Sequence, residues 1–127
     1  MDSRRRRYVK RVLLLSLGIA ACTWVITRGP IPFESSVWMN NAENWEDEWH
    51  RRHRIADWLV LTRSLNGLSQ AELTKKLGTP DTETFKGWSL TYYLGTQRGF
   101  FAIDDEWLVI RLDDNGKVVD AAVVVAG

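Results

Sequence analysis

Residues 65–80 read LNGLSQAELTKKLGTP, and the rest of the chain is best read outward from this stretch. Ser69 stands where a helix N-cap is needed and Glu72 follows three residues on. At that spacing the two side chains can each satisfy an orphan backbone N–H of the other. Leu68 and Leu73 hold the two positions of a hydrophobic staple across the cap. Gly78 supplies a C-terminal stop and Pro80 prevents continuation, so the spacing predicts a helix over 70–77. Eight residues do not hold a helix alone in water, because nucleation is costly. Leu73 and Leu77 must therefore pack on something larger.

The sequence that follows supplies a sheet. Trp88, Leu90, Tyr92 and Leu94 alternate with Ser89, Thr91 and Tyr93, the period of a half-buried strand. Between Trp107 and Asp113 the alternation sets Leu108, Ile110 and Leu112 against Trp107, Val109 and Arg111. Asp113, Asp114, Asn115 and Gly116 carry an Asn-Gly hairpin signal, and Val118 to Val125 returns as a third strand. Upstream, Trp45, Trp49, Ile55, Ala56, Trp58 and Leu59 form one helical stripe, which predicts a helix over about 43–64 ended by Asn66 and Gly67. The expected fold class is α+β, with two helices on one face of a three-stranded antiparallel meander.

Before this domain, taken as 45–127, lies a stretch at 29–44 with Gly29, Pro30 and Pro32, expected to be a linker. Its Phe33 and Trp38 are expected to dock back on the domain, since isolated aromatics are costly to leave in water. Residues 1–28 form a signal or membrane anchor: Arg4, Arg5, Arg6, Arg7, Lys10 and Arg11 precede the uncharged run VLLLSLGIAACTWVIT at 12–27. Sixteen residues of helix span about 24 Å, short of a ~30 Å hydrocarbon core. Basic residues ahead of the run place the N-terminus inside and the domain outside the cytoplasm. Seven basic residues against Asp2 give residues 1–28 a net charge of +6, leaving −5 on the remainder of a chain whose total is +1. An acidic domain is a poor phosphate binder, so no nucleic acid is expected.

The residues Leu65, Gly67, Ser69, Glu72, Leu77, Gly78, Pro80 and Asp81, then Tyr92, Tyr93, Leu94 and Gly95, resemble the small bacterial envelope lipoproteins of the SmpA/OmlA group, with their BamE-like fold. Ile103, Asp104, Trp107, Leu108, Val109, Ile110, Asp113 and Gly116 resemble an uncharacterised bacterial family of the same architecture. The likeness covers about residues 51–125. It implies a non-catalytic, membrane-anchored binding or accessory module of the cell envelope. A lipid-contacting structural accessory of envelope or outer-membrane assembly is the alternative. Ile19, Ala20, Ala21 and Cys22 are similar to a lipobox, which makes Cys22 a lipidation candidate, whereas Thr23 to Ile26 continue the apolar run as an uncleaved single pass would. Both stay open.

No catalytic set and no cofactor are expected. His50 and His53, with Glu46, Asp47 and Glu48, hold metal-like residue types without a zinc motif, and read as a solvated polar face. Asp104, Asp105 and Glu106, with Asp113 and Asp114, lack calcium-loop spacing and read as solvated turn residues. A small metal-dependent enzyme is the remaining reading, and it would need a pocket of convergent polar groups. The loop 95–105 is the candidate partner site, because Arg98, Phe100 and Phe101 stand beside Tyr93 and Trp107, and aromatics with Arg dominate interface hot spots.

Overall fold

The computed structural model describes residues 3–40, 49–99, 101 and 103–127. Along these residues run α1 (Ser3–Thr27), α2 (Ser35–Asn40), α3 (Arg51–Thr62), α4 (Gln70–Leu77), β1 (Leu90–Thr96), β2 (Asp105–Leu112) and β3 (Val118–Ala126). Both strand pairs are antiparallel, in the order β1-β2-β3. The α+β meander is therefore as expected, but the described residues hold four helices where two domain helices were predicted.

The α4 helix forms for the local reasons in its sequence. Ser69 Oγ accepts from the Glu72 N–H at 3.2 Å, Glu72 Oε1 accepts from the Ser69 N–H at 3.3 Å, and these bonds hold the Glu72 carboxyl below its usual pKa. Gly78 ends the helix at φ 88°, a left-handed value that strains any residue with a Cβ. Leu73, Leu77, Leu108 and Ile110 share one buried interior with Ile55, Ala56, Leu59, Leu65, Tyr92 and Leu94.

Two boundaries differ from expectation. The stretch 29–44, expected as a linker, contains α2, whose Trp38 is fully buried. Trp38 Nε1 donates to the Leu77 carbonyl at 2.8 Å and the Tyr92 hydroxyl donates to that of Gly78 at 2.9 Å, so the two rings together satisfy the end of α4. Burial pushes the Tyr92 hydroxyl up to about 12. The Arg52 guanidinium lies 4.2 Å from the centre of the Trp38 ring, and burial lowers its pKa to about 10. Second, the helix expected over 43–64 starts at Arg51 among the described residues, because His50 is left-handed at φ 47°. Residues 43–48 of that expectation, including Trp45, lie outside the described residues.

The two faces of the sheet are unlike. Leu108 and Ile110 face the helices, while on the other face Trp107 meets Tyr93 and Phe85 edge-on at 5.0 and 5.6 Å. A bulge between Tyr93 and Gly95 shifts the register, so that Gly95 pairs with Glu106 and Thr96 with Asp105.

Candidate functional site

The even-numbered positions of β2 point toward the helices, and the first of them is Glu106. Its carboxylate is buried at the same face as Leu108 and Ile110, where an unpaired charge would be very costly. Arg98 pairs it. The Arg98 backbone N–H donates to Glu106 Oε2 at 2.9 Å, Nε to the same oxygen at 3.0 Å, and the Nη2 group to Oε1 at 2.9 Å. The far side of the guanidinium donates to both oxygens of Asp57 on α3, at 2.6 and 3.2 Å. Burial works against both charges, but hydrogen bonds outweigh it: those from Arg98 lower the Glu106 pKa, and those to Asp57 and then Glu106 raise that of Arg98.

His53 completes the group one helical turn before Asp57. Its Nε2 lies 2.9 Å from the Thr96 carbonyl and 3.4 Å from Glu106 Oε2. A carbonyl only accepts, so the neutral ring carries its proton on Nε2. Burial lowers the His53 pKa, and the Glu106 carboxylate offsets this only in part. The group therefore ties α3 to the base of the β1–β2 hairpin with four side chains from three segments.

This corrects two expectations. His53 and Glu106, read from sequence as solvated, are 4 % and 5 % exposed. The pattern held a signal for both: Glu106 has the same parity as Leu108 and Ile110, and His53 and Asp57 stand four apart beside the buried Ile55 and Ala56. His50, just before α3, touches His53 edge-on at 5.1 Å, and Glu46, Asp47 and Glu48 lie outside the described residues. No group of three metal-type side chains occurs among the described residues.

The candidate partner residues separate. Arg98 faces the helices and is engaged by Asp57 and Glu106, whereas Tyr93 and Trp107 stack on the opposite face, with the Tyr93 hydroxyl donating to Asp105 Oδ1 at 3.0 Å. Phe101 is exposed, and Phe100 lies outside the described residues.

A second feature, the junction of α3 with α1, carries no local sequence signal. Arg54 Nε donates to the Gly29 carbonyl at 2.7 Å, and its Nη2 group donates to those of Ile26 and Val25 at 2.7 and 3.2 Å. The Ile31 N–H in turn donates to the Arg54 carbonyl at 3.1 Å. A buried cation thus sits on the carbonyl end of α1, where the helix dipole favours positive charge. Beside this junction lies an open cleft of ≈ 790 Å³, walled by Trp24, Thr27 and Arg28 on one side and by Trp49, Asp57, Arg98 and Gly99 on the other. None of α1 is buried against the domain, and it is long and apolar enough to cross a membrane, which supports membrane association.

The two edges of the sheet are treated differently. Along β1, Asp81 donates its N–H to the Thr91 carbonyl at 2.8 Å, its Oδ2 accepts from the Tyr93 N–H, and Thr91 Oγ1 donates to the Glu83 carbonyl at 2.6 Å, so residues 81–83 cover that edge. On β3 the cover ends early, with Gly67 and Leu68 bonded to Val118 and Asn66 reaching Val119. From Asp120 to Ala126 no second strand pairs with it among the described residues.

No protein-family model, curated protein or solved structure matches this chain.

Proposed function

We propose that this is a non-catalytic, membrane-anchored protein of the bacterial cell envelope, a small accessory module that binds a partner protein outside the cytoplasm. The open edge of β3 carries this reading. Seven residues, DAAVVVA at 120–126, contain a single charge, and an edge of that length and composition is a template for a strand from another chain. The opposite edge is covered, so the exposure is confined to one side. Arg54 supports the reading by holding the domain in one pose at the exit of α1, which suits a module that presents its edge to a membrane-embedded partner. The resemblance of residues such as Ser69, Glu72, Gly78 and Pro80 to the SmpA/OmlA group implies a role of the same kind.

The grip on Val25, Ile26 and Gly29 also favours an uncleaved single pass over lipidation at Cys22, since cleavage there would leave only a stub of the helix that Arg54 caps. His53, Asp57, Arg98 and Glu106 are spoken for by one another, which supports a holding role over bond-making chemistry.

The test is site-specific photocrosslinking in native membranes. A crosslinker at Val125, half of it exposed, is expected to trap one discrete protein adduct, and one at the exposed Glu83 on the segment that covers the β1 edge is expected not to. Lipid adducts alone from Val125 would refute partner binding through β3.

A further inference from the structure

The β1–β2 hairpin leaves the sheet at the end that lies against the exit of α1. Thr96 pairs with Asp105, Asp105 with Ala126, and the Gln97 N–H donates to the Asp104 carbonyl at 2.7 Å, so the hairpin base lies at this end. His53 reaches the Thr96 carbonyl and Arg98 reaches Asp57, which sets the hairpin base level with the first turns of α3. On those same turns Arg54 grips the last carbonyls of α1. Gly99 and Trp24 then face one cleft, so by Gly99 the hairpin has come alongside the final turns of the apolar helix. The other hairpin, at 113–116, is separated from it by the eight residues of β2, about 25 Å at ~3.3 Å per residue.

Beyond Gly99 the sequence is Phe100, Phe101, Ala102 and Ile103, with no charge until Asp104. Ile103 is 85 % exposed and Phe101 78 %, more than any large apolar residue of α1, where Ile26 reaches 73 %. A braced hairpin that holds two such side chains away from the core marks a surface made for an apolar phase. With α1 as a span, that phase lies beside it. The uncharged run of α1 is about 6 Å shorter than a typical hydrocarbon core, and a bilayer that thins to match it comes closer to the domain.

We propose that the tip of the β1–β2 hairpin, led by Phe101 and Ile103, is a second membrane contact that enters the leaflet around the exit of α1. The proposal rests on α1 being a membrane span. Interfacial elements sink apolar side chains about 5–10 Å below the headgroups, a depth within reach of the exposed Phe101 and Ile103 side chains. Trp24, exposed between the two contacts, occupies the level at which Trp is enriched. The span and the tip would together fix the tilt of the domain, which a single helix cannot do.

The test uses the full chain reconstituted in mixed phosphatidylcholine–phosphatidylglycerol vesicles, with Cys22→Ser as background and an environment-sensitive fluorophore on single introduced cysteines. With Ile103→Cys, emission is expected to shift to the blue, nitroxides on lipid acyl chains to quench it, and aqueous iodide quenching to fall several-fold relative to Asp114→Cys on the opposite hairpin. Leu15→Cys reports the span itself. A water-exposed label at 103 with a lipid-buried label at 15 overturns the hairpin contact and leaves the anchor standing. Water-exposed labels at both positions overturn both. Acyl-chain quenching at 103 in vesicles holding no other protein would assign the contact to lipid, whereas shielding from iodide without such quenching would indicate contact between copies and overturn it.

Discussion

Arg98 grips Glu106 with its main chain and its side chain at once, the backbone N–H at 2.9 Å and Nε at 3.0 Å from the same carboxylate oxygen. The two residues lie on opposite sides of the β1–β2 hairpin, so the pair closes the loop at its base as a hydrogen-bonded rung would. Asp57 then holds the outer face of the same guanidinium from α3. The conformation of the hairpin and its attachment to the helix are thereby one structural event.

Arg98→Ala is expected to cost about 3 kcal/mol, because it leaves the Glu106 carboxylate buried without its counter-charge. Urea denaturation of the full chain in detergent would read this as a lower midpoint at unchanged slope. Arg98→Met combined with Glu106→Leu is expected to recover most of the loss, since an apolar pair of similar volume removes the desolvation cost along with the attraction. A double variant as unstable as Arg98→Ala would show that the packing of the guanidinium, and not the buried charge, is what matters.

Acid should weaken the fold in two stages. Burial lowers the His53 pKa from 6.5, so as pH falls the unfolded chain takes up that proton first and stability declines from about pH 6.5 downward. Arg98 holds the Glu106 carboxyl below 4.5, so its contribution is present above that value and is lost as pH falls through the folded pKa. Melting temperature is therefore expected to be level near neutral pH and to fall toward about pH 5. His53→Gln keeps a donor for the Thr96 carbonyl and removes the titration, so it should flatten the upper stage only. An unchanged profile in that variant would place the acid sensitivity elsewhere.

The parts of the fold that were legible in sequence are those written in local code. The limits of α4 follow from Ser69, Glu72 and Gly78 within ten residues, and the meander follows from alternation at Leu90–Leu94 and Trp107–Leu112. What escaped depends on contacts distant along the chain. The six residues of α2 follow Pro30 and Pro32 and have little helical tendency of their own, and the helix persists because Trp38 finds a carbonyl thirty-nine residues away. The late start of α3 rests on one left-handed residue, His50, whose side chain carries no signal of it. Glu106 carries a charge at a core-facing strand position, and its burial depends on Arg98, eight residues away across the loop. Arg54, one of three arginines on the first turn of α3, was indistinguishable from its neighbours until α1 was placed.

Trp38 offers a separate test of how α2 is held. Trp38→Ala removes a fully buried ring and is expected to cost about 3–5 kcal/mol. Trp38→Phe keeps most of the apolar contact but leaves the Leu77 carbonyl without its donor, and should cost about 1–3 kcal/mol. Equal losses in the two variants would mean that the hydrogen bond, more than the burial, docks this helix.

The joint between α1 and the domain is held chiefly by one side chain. Arg54 supplies three bonds to the end of α1 from one planar group, and the connection that follows, Arg28 to Glu34, is too short to absorb much rotation once those bonds are made. Spin labels on Cys22 and on Asp114→Cys, in the full chain in lipid nanodiscs, should therefore give one narrow distance distribution. Arg54→Ala should broaden it, because the carbonyls of Val25, Ile26 and Gly29 then turn to water and the domain can swing on Gly29. Arg54→Lys keeps the charge at the helix end but cannot span three acceptors, so an intermediate width is expected. If the distribution stays narrow in Arg54→Ala, the pose of the domain is fixed by other contacts, with the hairpin tip in the bilayer as the first to examine.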